Sequence, residues 1–302
     1  MTGPAVVALG GGHGLAASLR AARTYAGAIT AVVSVADDGG SSGRLRAAMP
    51  DLPAPGDVRR CLGALAAADS VLARTLEHRF DGAGGDLEGH AFGNLLLAAL
   101  TTELGSFPAA VEEVGRLVGA VGTVLPATTR PVALEGRLRA SGTAGERPGG
   151  RVVGQVAVQE STGVATLSLA PGGAPSPPAV AEAIRTADQV VIGPGSLFTS
   201  VLAAAIVPAV RRALHATSAR RVYVANLAPQ EPETAGFTLA DHVAALAAHD
   251  VPVDVVLGHA GPGADPAVAG PDGPPVVTCP VADDRGLVHH PERLGAALAS
   301  LV

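Results

Sequence analysis

A pattern of strand, glycine loop, helix and strand near the start of the chain limits the fold more than any other feature. The run Ala5-Val6-Val7-Ala8-Leu9 is continuously apolar, as expected for a strand buried on both faces of a sheet. The loop Gly10-Gly11-Gly12-His13-Gly14 follows, helical apolar spacing runs from Leu15 to about Tyr25, and a second apolar run spans Ile29 to Val35. Because two strands joined through a helix pair in parallel, this unit predicts a parallel α/β sheet.

The remaining patterns extend that sheet and interrupt it once. Helical spacing recurs from residue 57 to 118, and alternation of apolar and polar residues over about 131–170 predicts a small antiparallel sheet. An exposed turn is predicted at Ser141–Gly150, and strand and helix patterns alternate again from Gln189 to the end. We therefore predict a three-layer α/β/α, Rossmann-like fold with a mainly parallel sheet. The prediction is one domain over residues 1–302 that carries a β-rich insertion at about 131–170.

Charge and composition exclude several function classes. The net charge is -6 and aromatic residues make up 2% of the chain, so neither a basic footprint for duplex nucleic acid nor a stacking platform for single strands is present. All 21 basic residues are Arg. The absence of Lys excludes Schiff-base chemistry and a Walker A phosphate loop. A bound phosphate would have to be held by backbone amides, hydroxyls, Arg or a metal.

The two cysteines and the N-terminus indicate the compartment. Cys61 and Cys279 are far apart and belong to no metal-binding cluster, which fits a reducing environment without disulfides or structural zinc. The N-terminal apolar run is too short for a signal peptide or a membrane span, and no cationic segment precedes it. The sequence thus predicts a cytoplasmic protein without a membrane span.

Two glycine-rich loops lie where a strand runs into a helix. The first is Gly10–Gly14, and the second is Gly193-Pro194-Gly195-Ser196, with Thr199 at the start of the following helix. Such loops present free amides and the positive end of a helix to an anion. The first loop is not a complete dinucleotide fingerprint, because Leu15 stands where the third glycine would be required. Two loops of this kind in one sheet favour a ligand with a diphosphate or with two separate anionic groups.

An acidic pair ends the second strand. Asp37 and Asp38 precede a loop that contains Ser41, Ser42 and Arg44. The carboxylates could bind ribose hydroxyls, hold Mg²⁺ or act as a base, and they are the candidates for catalysis and for metal binding. The alternative is a capping Asp with a solvated neighbour.

Other polar segments are open to more than one interpretation. Asn226–Phe237 places Gln230 and Glu233 after a strand, either as ligand contacts or as an ordinary polar loop. Asn94 either caps a helix or faces the ligand. The acidic and histidine residues of 283–290 are interpreted as a turn before the last helix rather than as a metal site.

Six segments together resemble one known family. They are GGGHGL at 10–15, VADDGGSSGRLR at 35–46, PGDVRR at 55–60, GHAFGNLLLAAL at 89–100, GPGSLFTSVLAA at 193–204 and the loop 226–237 with ADH at 240–242. In this order they resemble the YvcK/CofD-like family over most of the chain. The loop 226–237 departs from the family pattern, since Ala235 stands in place of Asp and Phe237 in place of Tyr.

The resemblance implies one of two functions. The YvcK-type branch, which GGSSGRLR and PGDVRR resemble more, comprises cytoplasmic gluconeogenesis factors that bind UDP-sugars such as UDP-N-acetylglucosamine (UDP-GlcNAc). These proteins are required for cell shape on gluconeogenic carbon, which allows for protein partners in wall synthesis and a homo-oligomer. The other branch comprises Mg²⁺-dependent 2-phospho-L-lactate transferases, so enzymatic activity stays undecided. NAD binding through the first β-α-β unit is a third alternative.

The expected pocket combines the loops described above, with Arg44 and Arg59 neutralising the charge of the ligand. The predicted ligand-binding residues are Gly10, Gly11, Gly12, His13, Gly14, Asp37, Asp38, Ser41, Ser42, Arg44, Asp57, Arg59, Asn94, Gly193, Pro194, Gly195, Ser196, Thr199, Asn226, Gln230 and Glu233.

Overall fold

The computed structural model describes residues 3–82, 84–139, 150–260 and 273–302. Most of the predicted turn at Ser141–Gly150 lies outside these residues. Ten strands are present within them: β1 (Ala5–Gly10), β2 (Ala28–Val33), β3 (Thr123–Pro126), β4 (Ala133–Leu138), β5 (Arg151–Val153), β6 (Val164–Ala170), β7 (Gln189–Ile192), β8 (Arg220–Val224), β9 (Val255–His259) and β10 (Val276–Cys279).

The strands form two sheets. The large sheet has seven strands in the order β10-β9-β8-β7-β1-β2-β3, and every neighbouring pair in it is parallel. The small sheet has the order β5-β4-β6 and is antiparallel. The predicted parallel sheet with a small antiparallel insertion is therefore confirmed.

Helices cover both faces of the large sheet. Within the described residues the α-helices are α1 (Gly12–Ala22), α2 (Gly40–Ala48), α3 (Gly56–Leu65), α4 (Val71–Leu76), α5 (Phe92–Leu104), α6 (Phe107–Leu117), α7 (Gln155–Gln159), α8 (Pro178–Thr186), α9 (Ala203–Ala205), α10 (Pro208–Ala216), α11 (Leu239–Ala248) and α12 (Pro291–Ala299). A π-helical segment, Leu197–Leu202, leads directly into α9.

Two buried cores hold the three layers together. One core joins one face of the sheet to α1, α3, α6 and α12, for example through Leu19, Leu62 and Leu298. The other joins the opposite face to α8, α10 and the small sheet, and it includes Leu9 of β1 together with Leu134 of β4. The insertion therefore shares a core with the large sheet.

The structure contains elements that the sequence patterns did not predict. The residues of α2 were interpreted as part of a polar loop, because glycine and serine dominate its first turn. Tertiary contacts form the helix instead: Leu45 is buried, and Arg46 donates hydrogen bonds to the backbone oxygens of Asp37 and Val132. Within the region whose alternation predicted the antiparallel sheet, the strand β5 ends at Gly154, whose φ is 102°, and the helix α7 follows it.

The order of the strands positions a crevice. From β1 the chain adds β2 and β3 on one side, whereas β7 and the later strands lie on the other side. Ligands of open parallel sheets bind beyond the carboxyl ends of the strands at such a reversal. Within the described residues no single helix is long and apolar enough to cross a membrane, although the bent pair Leu197–Ala205 and Pro208–Ala216 passes that test jointly.

Candidate functional site

A cavity of about 500 Å³ lies beyond the carboxyl ends of β1, β2 and β7. Each of the predicted segments contributes at least one residue to its lining. The predicted residues that line it are Gly11, Gly12, His13, Gly14, Asp37, Ser41, Ser42, Asp57, Arg59, Asn94, Gly195, Ser196 and Gln230.

Three helices begin at this cavity. The helices α1, α2 and α3 start at Gly12, Gly40 and Gly56, and these three glycines line the cavity wall. The first amides of a helix lack partners within the helix and carry its positive dipole end. The cavity therefore presents helix N-termini of the kind that bind anions.

Arg59 is the most unusual polar side chain of the site. It is 2% exposed, and its Nε and Nη1 atoms are buried without a hydrogen-bond partner. Among the described residues, only the Glu77 carboxylate makes an ionic contact with this side chain, at 3.3 Å from Nη2. Burial lowers the pKa of Arg59, although an Arg stays charged at neutral pH. A buried guanidinium with two unused donors is costly unless a ligand supplies acceptors.

Asn94 lines the same cavity and has an acceptor without a partner. Its Nδ2 donates to Ser41 Oγ at 3.0 Å, while its Oδ1 is buried without a partner. Ser41 Oγ also lies 3.0 Å from His90 Nδ1. Burial and the nearby Arg44 lower the pKa of His90, so a neutral ring can accept the serine proton. These hydrogen bonds fix the orientation of the Asn94 amide and leave its oxygen without a partner. Gln230 Oε1 is a second buried acceptor without a partner.

Two carboxylates, Asp37 and Asp57, also line the cavity. Asp57 pairs with Arg60 at 2.9 Å, and Asp37 accepts a hydrogen bond from the Gly39 amide. Burial raises the pKa of Asp57, the cation of Arg60 opposes that shift, and the negative charge of Asp37 adds to it.

Asp38 does not line the cavity. Its two oxygens accept hydrogen bonds at 3.0 Å from the backbone amides of Gln155 and Val156, at the start of α7. The residues Gln155, Val156 and Gln159 of α7 form part of the cavity wall. Asp38 therefore caps α7 and ties the insertion to the cavity.

The second glycine loop is held by its neighbours. Asn226 accepts a hydrogen bond from the Gly195 amide and donates one to the Gly195 carbonyl, both at 2.9 Å. A β-carbon on Gly14 would collide with the carbonyl of Pro194, so only glycine lets α1 approach this loop. Because the Gly195 amide already donates to Asn226, it is not free to bind an anion. The loop lines the cavity with Gly195 and Ser196.

Glu233 caps the helical segment that follows this loop. Its carboxylate accepts hydrogen bonds from the Phe198 and Thr199 amides and from the Thr199 hydroxyl. It is 1% exposed, and burial raises its pKa against these hydrogen bonds. Glu233 and Thr199 hold the segment 226–237 against Leu197–Leu202, and neither lines the cavity.

The other predicted residues support the site from outside. Arg44 donates to the Glu88 carbonyl at 2.6 Å and lines a shallow surface depression next to the cavity. Gly10 ends β1, and the Gly193 carbonyl accepts a hydrogen bond from the Ser18 hydroxyl. The predicted residues that do not line the cavity are Gly10, Asp38, Arg44, Gly193, Pro194, Thr199, Asn226 and Glu233.

Several lining residues were not predicted. Arg60 belongs to the quoted segment PGDVRR, and its position one residue after Arg59 was a usable signal. The residues of α7 carried no local signal, because they reach the cavity only through the folding of the insertion. The unpredicted lining residues are Gly39, Gly40, Gly56, Arg60, Arg79, Gln155, Val156, Gln159 and Ser200.

A metal would have to be shared with the ligand. No group of three or more His, Cys, Asp or Glu side chains that could hold a metal occurs in the described ranges 3–82, 84–139, 150–260 and 273–302. Mg²⁺ is commonly held by one or two carboxylates together with substrate phosphates. Asp37 and Asp57 fit that mode. Both oxygens of Asp38 already accept hydrogen bonds from backbone amides.

The turn predicted at 283–290 is present, with Asp283 accepting a hydrogen bond from the Leu287 amide.

Comparison with known proteins identifies close relatives. The family described as 2-phospho-L-lactate transferase CofD matches residues 6–269. A relative from Mycobacterium tuberculosis is 48% identical over 250 residues, covering 81% of this chain and 72% of its own length. A relative from Bacillus subtilis, named gluconeogenesis factor, is 40% identical over 248 residues, with 82% and 75% covered. A crystal structure of a UPF0052 family member from Bacillus halodurans superposes with a TM-score of 0.89 at 35% identity, covering 99% of both chains.

Proposed function

The chain belongs to the CofD family, and on that basis we propose that its main cavity binds a nucleotide diphosphate sugar of the UDP-sugar class. The observation that carries this proposal is the set of buried polar atoms without partners. Arg59 offers two donors, and Asn94 and Gln230 each offer an acceptor. A ligand that pairs with all of them must have both anionic oxygens and hydrogen-bond donors.

A UDP-sugar has these groups. Its diphosphate oxygens can accept from Arg59 and from the amides at the starts of α1, α2 and α3. Its ribose, sugar and uracil donors can pair with Asn94 Oδ1 and Gln230 Oε1. The cavity volume of about 500 Å³ is within the range of small-molecule sites.

The biological role follows from the same premise. The B. subtilis relative is named gluconeogenesis factor. We propose that this chain is likewise a cytoplasmic gluconeogenesis factor, which supports cell shape on gluconeogenic carbon when a UDP-sugar such as UDP-GlcNAc is bound. Protein partners in wall synthesis and a homo-oligomer belong to this proposal. In it, ligand binding rather than turnover is the primary function.

A transferase activity is the second candidate, and the carboxylate pair is the observation that favours it. Asp37 and Asp57 face the same cavity, and the pKa of Asp57 is raised by burial and by Asp37. Mg²⁺ bound at these side chains would supply a Lewis acid for group transfer from a nucleoside diphosphate carrier.

Calorimetric titration of the whole chain with UDP-GlcNAc, GDP and NAD, each with and without Mg²⁺, separates these candidates. The proposal expects UDP-GlcNAc to bind more tightly than GDP or NAD, with no release of UDP on prolonged incubation. Tighter binding of GDP that depends on Mg²⁺ favours the transferase. Binding of NAD that equals or exceeds that of UDP-GlcNAc contradicts both.

A further inference from the structure

A second cavity of about 400 Å³ adjoins the first one on the side of α1, α3 and α4. The two cavities share His13 and Arg60, so a thin wall separates them. We infer that this second cavity, which we call the arginine groove, binds a small polyanion with several carboxylates or phosphates. This inference does not depend on the identity of the ligand in the first cavity.

The charge of the arginine groove is the first argument. Four arginines line it, and Glu77 is the single carboxylate among its lining residues. Glu77 is already engaged by Arg59 at 3.3 Å. The chain as a whole has more acidic than basic residues, with a net charge of -6. The lining of the groove thus has an excess of positive charge although the chain as a whole is acidic. The four arginines are Arg20, Arg23, Arg60 and Arg74.

The second argument is that several guanidinium nitrogens of these arginines have no hydrogen-bond partner among the described residues. Among the described residues Arg20 makes no hydrogen bond and no ion pair, and Arg74 makes a single long one of 3.5 Å to the Asp69 carbonyl. Arg23 donates through Nη1 to the carbonyls of Ala64 and Ala66, near the end of α3, and its other nitrogens have no partner. The guanidinium groups thus retain donors in the planar arrangement that matches carboxylate and phosphate oxygens.

The shape of the groove is the third argument. Its other lining residues are mostly small, among them Ala16, Gly63 and Ala67, and they leave the space between the arginines open. A compact ligand with several negative charges can contact the arginines from α1, α3 and α4 at once.

The shared wall couples the two cavities. Arg60 faces both, and it pairs with Asp57 of the first cavity at 2.9 Å. A polyanion in the arginine groove competes for Arg60 and adds negative charge near an anionic ligand of the first cavity. Occupation of the groove should therefore weaken nucleotide binding, and the effect must be reciprocal.

The test is calorimetric titration of the whole chain with two probes, citrate and pyrophosphate. We expect binding of at least one probe, and we expect Arg20→Ala combined with Arg74→Ala to weaken it at least 10-fold. These side chains are exposed and make at most one long hydrogen bond, so the fold should tolerate the change. Arg212→Ala, an exposed arginine on α10, is the matched control and should leave probe binding unchanged.

The two probes separate the chemical sources of the ligand. The preference is judged from the binding that the double substitution removes: a larger loss for citrate indicates a polycarboxylate, and a larger loss for pyrophosphate indicates a phosphorylated compound. Pyrophosphate binding that survives while citrate binding is lost is assigned to the first cavity, which is proposed to bind a diphosphate. The inference is overturned if the double substitution weakens the binding of neither probe, or if neither probe binds at 10-fold above the protein concentration and up to about the millimolar range typical of weak sites. Nucleotide titration of the same double variant should change less than 2-fold in affinity. A failure of UDP-GlcNAc to bind the wild-type chain would contradict the proposed function without affecting this result.

Discussion

Replacement of Arg59 by Met separates ligand binding from folding more sharply than any other change in the site. The side chain is 2% exposed, Nε and Nη1 have no partner, and its methylene groups pack against Gly93. Met preserves much of the stem and removes the charged group. The unliganded protein therefore loses a buried cation with unmet hydrogen bonds and keeps most of the packing.

The magnitudes follow from these contacts. An unsatisfied buried polar group costs about 1–3 kcal/mol, whereas the pair with the half-exposed Glu77 contributes about 0–1 kcal/mol. The free energy of unfolding of the unliganded Arg59→Met variant should therefore stay the same or rise by about 1–2 kcal/mol. Each charge-assisted hydrogen bond to a ligand contributes about 1.5–3 kcal/mol, so two lost bonds should weaken UDP-GlcNAc binding about 100-fold or more.

Urea unfolding and calorimetry on the same preparations measure both quantities. Arg221→Met is the contrasting control, because Arg221 pairs with Asp254 at 2.6 Å on β8 and does not line the cavity. That variant should lose stability and keep its affinity. The reasoning would be refuted if Arg59→Met lost more than about 2 kcal/mol of stability while UDP-GlcNAc still bound normally, since the guanidinium would then be structural.

Three further predictions test the surrounding structure. Asp38→Asn should lower the free energy of unfolding by about 1 kcal/mol, because Asn keeps one capping oxygen and has an NH2 group, which cannot accept, in place of the other. A loss of UDP-GlcNAc affinity seen solely with Mg²⁺ would instead make Asp38 a metal ligand. Burial lowers the pKa of His289 to about 4, below its unfolded value of about 6.5. The unfolded state therefore binds the proton first, and the free energy of unfolding falls as the pH drops from about 6.5 to 4. Urea unfolding across this range should show a loss of stability that is smaller by about 3 kcal/mol in His289→Gln than in the wild type. Gly14→Ala should cost about 1–3 kcal/mol and weaken ligand binding because its β-carbon meets the Pro194 carbonyl; Gly173→Ala, which meets no atom within 4 Å, is the control for thermal unfolding and titration.

The sequence determined the elements whose signals are local. The parallel sheet follows from the apolar runs that became β1 and β2. The glycine loops and the segment PGDVRR supplied most of the polar residues that meet at the cavity. These predictions succeed because apolar periodicity and glycine content act within a few residues, and because the ends of parallel strands always meet at one edge.

The tertiary structure alone decided the role of each polar side chain. Asp37 and Asp38 are adjacent in the chain, yet the strand exit directs Asp37 to the cavity and leaves Asp38 to cap α7 of the insertion. Glu233 was predicted to contact the ligand and instead caps the helical segment at Phe198. The arginine groove combines side chains from α1, α3 and α4 that no motif joins. Asp38 is paired with the amide of Gln155, which lies 117 residues away along the chain. Local propensity carries no information about such distant partners, because long-range packing brings them together only in the folded chain.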